Sequence, residues 1–441
     1  MQTVCRGRGA GRGAGRSVGR RSWRRLALAA CVVLLASSVS AQKAGAPPGK
    51  WRPARRVHPD SVVTEEEAYD LERLRTIGYL SGSEPVPDRT GITLYKRGRT
   101  YDGLNLYISG HFPGAILMDM NGNVVHEWRF EFERAWPDYR TEQLSEDTTG
   151  YWMEAYVYPN GDLLAIFGGL GLIKIDKNSN LIWKYMGGCH HDLEVLDDGT
   201  IYVLTREEKI FPAWNPGHPI RDDAVTVLSP EGEELERISL FEAMVRSPYA
   251  NVLMGPGVRM ATKFGDIFHT NSVEVLDDRI ADRVPAFRRG NVLVSLRTLN
   301  LVGVVDLERR EFVWALSGMW NAQHHPTMLG NGHMLVFDNR GGDNGSRVIE
   351  FDPATQEVVW VYEGNEEHPF YSEKSGANQR LPNGNTLITE SNAGRVFEVT
   401  ADGEIVWEFL NPARAGDEDQ FIATLFEMER LPADFPLDWL R

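Results

Sequence analysis

The stretch His324–Asn339, HHPTMLGNGHMLVFDN, decides the fold together with its earlier counterpart His190–Leu204, HHDLEVLDDGTIYVL. Each joins an alternating apolar run to a second apolar run through a tight glycine turn, the pattern of a β-hairpin. Further copies are HTNSVEVL from His269, continued after an insertion by GNVLVSLR, and NQRLPNGNTLITES from Asn378. A hairpin that recurs in this way predicts a protein built from repeated β-units.

Each hairpin continues into two more strands, the last of which carries a tryptophan. The clearest example is Gly384–Phe409, GNTLITESNAGRVFEVTADGEIVWEF, with a turn at Ala401–Gly403 and Trp407 in its last strand. Related units end at Trp128, Trp183, Trp314 and Trp360, and one ends at Leu235 without a tryptophan. Six four-stranded units with no recurring helix predict an all-β protein, a six-bladed β-propeller over residues 101–441.

The first 41 residues resemble an export signal. An Arg/Gly-rich segment without acidic residues precedes the apolar run Leu26–Ala36, and cleavage after Ala41 is expected. A lipoprotein signal at Cys31 is a second interpretation, and Arg20-Arg21 weakly resembles a twin-arginine signal. Either way we expect an exported protein, periplasmic or secreted, that is not stably inserted in a membrane after cleavage.

Residues 42–100 are predicted to be a linker followed by an amphipathic helix. The linker is rich in proline and basic residues, and the helix is predicted within 61–81, where EEEAYDLERLRTIGYL gives an acidic first turn and a glycine stop. Two insertions interrupt the repeats, one around Asn215 and one over Phe241–Phe264. Because long connections of a propeller emerge at its faces, we expect these insertions to form a rim or lid.

Charge and cysteine content restrict the partners. The whole chain has a formal net charge of −15, and loss of the eight arginines before Ala41 leaves 39 basic against 62 acidic residues, near −23. Such a surface repels nucleic acid, and an anionic substrate would need a local positive site. Cys189 is the one cysteine after residue 41, so no disulfide within the mature chain is expected. The oligomeric state is left open.

Histidines occupy a fixed place in the repeated phrase. His191 and His324 align without a gap relative to the turn glycines Gly199 and Gly332, and the second copy places Asn271 there, with His269 two residues earlier. Equivalent positions of different blades converge on the propeller axis, so these side chains are predicted to share one funnel. Strand alternation predicts that His325 points to the opposite side from His324.

Arg297 lies in the apolar segment VSLRTLNLVGVVD, one strand after His269. A guanidinium is costly in such surroundings unless it meets an anion. One interpretation is a structural carboxylate partner. The other is an oxyanion of the substrate, because arginine presents a planar fork of donors suited to sulfate or phosphate.

Three motifs are similar to those of the bacterial arylsulfotransferases, which transfer sulfuryl groups between phenols without a nucleotide sulfate donor. They are HHD at His190–Asp192, FHTNS at Phe268–Ser272, and QHHP with NGHMLVFDNR at Gln323–Arg340. The resemblance covers the chain from about residue 101 onward. It implies His324 as a transiently sulfated nucleophile.

The same resemblance implies His191, His269 and Arg297 as further catalytic residues. Residues expected to bind substrate are Asn271, His190, His325 and Asn339. The implied substrates are a small-molecule aryl sulfate and a phenol, with no cofactor and no metal. Sulfuryl transfer resembles phosphoryl transfer in needing positioning and charge stabilisation, and a histidine is expected to exchange the phenol proton.

Two other classes of function remain open at the level of sequence. Several imidazoles on a propeller axis suit a metal-dependent enzyme, although no tight metal-binding spacing is present. A secreted, non-catalytic propeller that binds a ligand at its axis is the other alternative. Metal analysis together with an aryl sulfate turnover assay distinguishes these functions.

Overall fold

The computed structural model describes residues 82–139, 146–212, 214, 220–255, 258, 265–342, 345–416 and 418–440. All lie within Arg73–Arg441, the larger of two compact units of the chain. The predicted export signal, the predicted amphipathic helix and the centre of the insertion at Asn215 lie outside the described residues.

Strands make up most of the regular secondary structure. Their bounds are β1 (Gly82–Pro85), β2 (Gly91–Tyr95), β3 (Leu104–Ser109), β4 (Gly114–Met118), β5 (Val124–Arg129), β6 (Glu154–Val157), β7 (Leu163–Phe167), β8 (Leu170–Ile175), β9 (Leu181–Val195), β10 (Ile201–Lys209), β11 (Ile220–Leu228), β12 (Glu234–Ser239), β13 (Thr270–Val275), β14 (Val292–Leu296), β15 (Leu301–Asp306), β16 (Glu311–Ser317), β17 (His324–Met328), β18 (Met334–Gly342), β19 (Gly345–Phe351), β20 (Val358–Glu363), β21 (Ala377–Arg380), β22 (Thr386–Glu390), β23 (Arg395–Val399), β24 (Ile405–Leu410), β25 (Arg414–Ala415), β26 (Phe421–Ala423) and β27 (Leu425–Leu431).

Helices in the described part of the chain are short. The α-helices are α1 (Phe132–Ala135), α2 (Glu146–Thr149) and α3 (Leu240–Arg246), and the 3-10 segments are Ala250–Met254, Pro285–Phe287, Arg297–Leu299, Ser391–Ala393 and Asp438–Leu440. α3 begins at the Ser239 cap, whose side chain accepts a hydrogen bond from the Glu242 backbone N–H. It belongs to the predicted insertion at Phe241, so that insertion is partly helical. No helix among the described ranges is long and apolar enough to span a membrane.

The strands form antiparallel sheets in sequence order. Strands β13 to β16 and β17 to β20 make two four-stranded sheets, β21 to β24 make a third with β2 as an additional outer strand, and β6 to β12 make one seven-stranded sheet. In that last sheet the long strand β9 pairs with β8 through its first half and with β10 through its second half. It therefore closes one four-stranded unit and opens the next.

The last unit joins the two ends of the described chain. Strand β27, near the C-terminus, pairs with β3, which continues through β4 and β5. Pairing of a late strand with an early one closes a ring of sheets and leaves few open edges. The all-β propeller class is thus confirmed, and the count of six blades stays a prediction that this strand order supports.

The recurring tryptophans explain part of the ring's cohesion. In four units the indole N–H of the last strand donates to a backbone carbonyl in a turn of the next unit. These hydrogen bonds join Trp128 to Gly161 (3.0 Å), Trp183 to Pro230 (3.1 Å), Trp360 to Ala401 (2.8 Å) and Trp407 to Met120 (3.1 Å). The bond from Trp407 bridges the unit that ends at β24 and the unit that contains β3.

The boundary expected at Tyr101 differs from the structure. Residues Gly91–Tyr95 form β2 and pair with β24, and Gly82–Pro85 pair with β26. The segment 82–100 is therefore part of the folded body and not a linker. Its alternation is only five residues long and belongs to no repeat, so the sequence pattern did not reveal it.

Candidate active site

One cavity at the centre of the ring gathers residues from the innermost strand of each unit. These strands are β6, the second half of β9, β13, β17, β21 and β27, and successive members contact one another. Each of these strands has one equivalent position, which lies four residues before a strand-paired residue near the end of the strand. Those strand-paired residues are Val157, Val195, Val275, Met328, Arg380 and Arg430. We call this position the first register and the residue after it the second register.

The two registers supply nearly all of the cavity wall. First-register residues in the wall are Met153, His191, Asn271, His324, Gly376 and Phe426, and second-register residues are Glu154, Asp192, His325, Ala377 and Glu427. The cavity contains about 440 Å³ of space, part of it open to solvent. The prediction that His191, Asn271 and His324 share a funnel agrees with this geometry.

His325 lines the same cavity as His324, contrary to the expectation from strand alternation. The register of β17 against β18 shifts between His324 and Thr327, and His325 has a left-handed backbone with φ of 47°. A β-bulge breaks the simple alternation of side chains, so neighbouring residues can face one space. β9 is irregular at the same place, where His191 has φ of 58°.

The imidazole of His324 is held from one side only. Its Nδ1 lies 2.7 Å from Asn339 Oδ1 and 3.1 Å from the Ala322 carbonyl oxygen. Exchanging the Oδ1 and Nδ2 positions of the Asn339 amide would break two hydrogen bonds, because Nδ2 donates to the carbonyls of Ser372 and Ser375. Two acceptors therefore face Nδ1, which must carry the proton. The lone pair of the ring is then on Nε2.

That lone pair is buried without a hydrogen-bond partner among the described residues. Burial lowers the pKa of His324 to about 3, and the charge of the nearby Arg297 acts in the same direction. The ring is neutral at ordinary pH. His324 consequently presents an unprotonated, partner-free nitrogen in a cavity, the arrangement that a nucleophilic imidazole requires.

Arg297 lies at the start of a 3-10 turn directly after β14, the strand that follows the innermost strand β13. Its backbone N–H donates to the His269 carbonyl at 3.3 Å, which ties the turn to the segment before β13. The guanidinium Nε is buried with no hydrogen-bond partner among the residues described here. A buried donor of this kind fits an anionic ligand.

His191 is supported by the residue before it. His190 Nδ1 and His191 Nδ1 are 2.7 Å apart, so one ring donates to the other. His190 is only 2% exposed, and its Nε2 lies 3.6 Å from Asp223 Oδ1. Burial lowers the pKa of both imidazoles well below the ordinary value. His190, expected to bind substrate, thus stands behind His191 and is not among the residues of the cavity wall.

His269 packs edge-on against His191, with ring centroids 5.1 Å apart. Its Nδ1 lies 2.8 Å from Asp266 Oδ2, and its backbone N–H donates to the other oxygen of that carboxylate at 3.0 Å. Burial alone would raise the pKa of Asp266, but its interactions with His269 bring the pKa below the usual range. The carboxylate therefore orients the ring and favours a proton on its Nδ1.

Asn271 links the site to the strand that carries His324. Its Nδ2 donates to the Gln323 carbonyl at 2.9 Å, while its Oδ1 is buried without a partner in the described structure. Gln323 is itself fixed by donation to Ser295 Oγ and the Leu301 carbonyl, each at 3.0 Å. The segment before His324 is therefore held rigidly at the cavity.

Three carboxylates in the cavity wall were missed at the sequence level as site residues: Glu154, Asp192 and Glu427. Burial raises the pKa of Asp192 to about 7 and that of Glu154 well above its ordinary value. A signal was present in the sequence. Aligning the Pro159-Asn160-Gly161 turn with the turn that ends at Gly199 places Glu154 on Asp192 and Met153 on His191. β27 has no following turn, so Glu427 could be aligned only from its strand pairing.

The first register is polar on one side and apolar on the other. Met153, Gly376 and Phe426 complete the ring opposite the histidines, and Phe426 stacks on Tyr151 with centroids 4.7 Å apart. A residue with a Cβ at Gly376 would meet the Phe337 ring at 2.4 Å. The first register therefore combines apolar side chains on one side with imidazole and amide side chains on the other.

The sequence matches the model of one protein family. The model of the family described as arylsulfotransferase (ASST) matches residues 156–412, more than half of the chain. The chain belongs to the arylsulfotransferase family. Membership supports a sulfotransferase-type enzyme acting on small aryl substrates, and it confirms the family predicted from the histidine motifs. A comparison with curated proteins gives no match.

Solved structures with similarity to this arylsulfotransferase-family chain have low sequence identity. A protein of unknown function from Bacteroides caccae is 13% identical with a TM-score of 0.49, covering 74% of this chain and 98% of its own. Streptogramin B lyase is 13% identical with a TM-score of 0.42, covering 81% and 96%. The WD40 propeller domain of Doa1 is 12% identical with a TM-score of 0.41, covering 74% and 88%.

Two further outcomes concern the predicted roles. Asn339, expected to bind substrate, is fully buried behind His324 and bonded to its Nδ1, so its place is that of a positioning residue.

For the alternative of a metal enzyme, no group of three or more His, Cys, Asp or Glu side chains within the described ranges has the arrangement of a metal site.

Proposed function

We propose that this arylsulfotransferase-family protein moves a sulfuryl group from an aryl sulfate to a phenolic acceptor through a sulfohistidine at His324. The observation that carries the proposal is the state of His324: Nδ1 is bonded to Asn339, and Nε2 is buried with no hydrogen-bond partner among the residues that the structure describes. Neutral imidazole with a directed lone pair is a competent nucleophile.

In the first half-reaction, Nε2 attacks the sulfur of the aryl sulfate as the bond from sulfur to the phenolic oxygen breaks. The transition state is loose, and its charge is spread over the sulfuryl oxygens. Arg297 supports the proposal because its Nε has no hydrogen-bond partner within the described part of the chain and because its charge, after burial, lowers the pKa of His324. His191 and His269 are proposed to face the same oxygens, with the sulfuryl group bound between them.

The aryl ring is proposed to lie against the apolar half of the first register. Phe426 offers a ring for stacking and Met153 a polarisable thioether, and both types of contact favour aromatic ligands. Asn271 Oδ1, an acceptor without a partner, suits the hydroxyl of an incoming phenol. The donor phenol and the acceptor phenol would occupy the same space in turn, which gives ping-pong kinetics.

The second half-reaction reverses the first. An acceptor phenol attacks the sulfur of the sulfohistidine, the bond from nitrogen to sulfur breaks, and the lone pair of His324 Nε2 is restored. No nucleotide or other cofactor enters this scheme. We further propose that the reaction occurs outside the cytoplasm, as the N-terminal sequence suggests.

The test is to mix the protein with 4-nitrophenyl sulfate alone and to search for one added sulfuryl group on His324 by mass spectrometry. Wild type is expected to be sulfated, His324→Ala is expected to remain unmodified, and His325→Ala serves as the neighbouring control that keeps modification. Sulfation of His324→Ala, or its loss only in His325→Ala, would contradict the assignment. If wild type is never sulfated but retains a stoichiometric metal after purification, the proposed reaction class is wrong.

A further inference from the structure

We propose that Glu154 and Glu427 share one proton, which they give to the leaving phenolate oxygen and recover from the incoming phenol. This inference rests on the proposed sulfuryl transfer and assigns the proton step, which the sequence had attributed to a histidine, to a pair of carboxyl groups. The pair belongs to the second register, directly beside the residues that line the sulfuryl site.

The pair differs from the carboxylates that join other innermost strands. At the junctions from β9 to β13 and from β13 to β17, a carboxylate of one strand accepts a hydrogen bond from a backbone N–H of the next strand. Asp192 accepts from Val273 at 2.8 Å, Glu194 accepts from Val275, and Glu274 accepts from Met328 at 2.8 Å. Those bonds satisfy exposed strand edges and have a structural purpose.

Between β27 and β6 the contact is carboxyl to carboxyl. Glu154 and Glu427 line the same cavity, and burial together with the charge and hydrogen bonding of Glu427 raises the pKa of Glu154 well above its ordinary value. The Oε1 of Glu154 also accepts the Ala155 backbone N–H at 2.8 Å. Two ionised carboxylates cannot hydrogen-bond to each other, so a carboxyl pair of this kind holds one proton. The junction therefore stores a proton where a purely structural contact would use a backbone donor.

The surrounding groups keep that proton in place. Asp192 faces the pair from β9, Glu429 follows it on β27, and His325 on β17 approaches Glu427 with its Nε2 3.4 Å from Oε1. Burial, the charge of Glu427 and the charge of Asp192 all raise the pKa of Glu154 and so oppose loss of its proton. The site can thus exist in a protonated form and in a form with one more negative charge.

Two independent features show that this space is built for a ligand. His324 Nε2 and Asn271 Oδ1 are buried, lack hydrogen-bond partners in the described structure and belong to side chains that line the same cavity as Glu154 and Glu427. His191, also in the wall, has a pKa far below the ordinary value because of burial, so its imidazole is neutral and carries no acidic proton to give. The carboxyl pair is the better acid.

The proton balance closes over one catalytic cycle. When His324 Nε2 forms its bond to sulfur, the phenolic oxygen takes both electrons of the broken bond to sulfur and receives the shared proton. The pair is left doubly ionised. The acceptor phenol then returns a proton to the pair as its oxygen attacks the sulfohistidine, and the bond from Nε2 to sulfur breaks. No additional reactant is needed.

The experiment compares donors whose phenols differ in basicity. Sulfohistidine formation is followed by rapid quenching and mass spectrometry with 4-nitrophenyl sulfate and with phenyl sulfate, for wild type, Glu154→Gln and Glu427→Gln. Glutamine keeps the size and a hydrogen bond of the pair but cannot give up a proton. The 4-nitrophenolate ion leaves without protonation, so its rate is expected to stay within about 3-fold of wild type, whereas the rate with phenyl sulfate is expected to fall about 100-fold or more.

Glu274→Gln is the matched control, a buried glutamate of the same ring that is bonded to a backbone N–H and lies outside the cavity wall. This substitution is expected to change the rate of sulfation equally, and only slightly, with both aryl sulfate donors. Equal losses for both donors in Glu154→Gln and Glu427→Gln would overturn the proton role while leaving the sulfohistidine intact. A wild type that is never sulfated would overturn both proposals.

The wild-type protein supplies a second measurement that does not depend on folding of a variant. If the pair protonates the leaving oxygen, the rate of sulfation across a series of substituted aryl sulfates depends only weakly on the acidity of the leaving phenol. A steep dependence in wild type, equal to that of Glu154→Gln, would contradict the inference.

Discussion

His324 Nδ1 lies 2.7 Å from Asn339 Oδ1, and this hydrogen bond, with the Ala322 carbonyl at 3.1 Å, fixes which nitrogen of the ring faces the cavity. The amide is itself held by the carbonyls of Ser372 and Ser375, so the proton on Nδ1 is set by groups behind the ring. The groups bonded to Nδ1 therefore keep Nε2 unprotonated and able to act as a nucleophile.

Replacing Asn339 by alanine is expected to slow sulfation of His324 by 4-nitrophenyl sulfate about 10–100-fold, the usual effect of losing a group that orients a reactive imidazole. Asn411→Ala is the control, because Asn411 is equally buried and donates to Ser109 Oγ and the Ala423 carbonyl far from His324 in the chain. A similar loss of sulfation in both variants, normalised to folded protein, would assign Asn339 a purely structural role.

Arg297→Lys should weaken binding of the aryl sulfate and slow its transfer. Lysine keeps the positive charge but loses the planar fork of donors that matches a sulfuryl group. We expect a decrease in kcat/KM of about 10–100-fold, corresponding to the one or two hydrogen bonds lost. Arg288→Lys, at a half-exposed ion pair with Asp306, is expected to leave kcat/KM unchanged. Unchanged kinetics in Arg297→Lys would mean that the guanidinium does not touch the substrate.

Glu274 makes stability depend on pH. Burial raises its pKa to about 8 in the folded protein, whereas the pKa of an unfolded glutamate is about 4.3. The folded protein therefore binds more protons between those values, and stability falls as pH rises through this window, with a slope of at most about 1.4 kcal/mol per pH unit. Chemical denaturation of wild type and Glu274→Gln at pH 5, 6, 7 and 8 measures the difference. A difference that does not change with pH would refute this explanation.

The indole hydrogen bonds between units should contribute unequally to stability. Trp407 is fully buried and donates to Met120 across the closure of the ring, whereas the bond from Trp360 to Ala401 is exposed. We expect Trp407→Phe to cost about 1–3 kcal/mol, because a buried carbonyl loses its donor. Trp360→Phe should cost less, since water can replace the indole. Equal shifts of the denaturation midpoint in the two variants would contradict this ranking.

The cavity could be anticipated only in part. His191, Asn271 and His324 were found because the turns after their strands allow alignment of the repeats, and the structure places all three in one wall. Glu154 stands at an equally alignable position, but its strand carries methionine where the others carry histidine or asparagine. The histidine motif therefore did not indicate Glu154 and Glu427, which line the same cavity.

Sequence alone determined the propeller class and the family, because alternating strands, turn glycines and recurring tryptophans are local signals that repeat along the chain. Tertiary structure alone decided three other features: the shared orientation of His324 and His325, the position of Asn339 behind the ring, and the carboxyl pair of Glu154 and Glu427. The physical reason is that each depends on a bulge or on a contact between distant strands. A bulge cancels the two-residue period on which the prediction for His325 relied. Glu154 and Glu427 are separated by most of the folded chain and meet only because the ring closes.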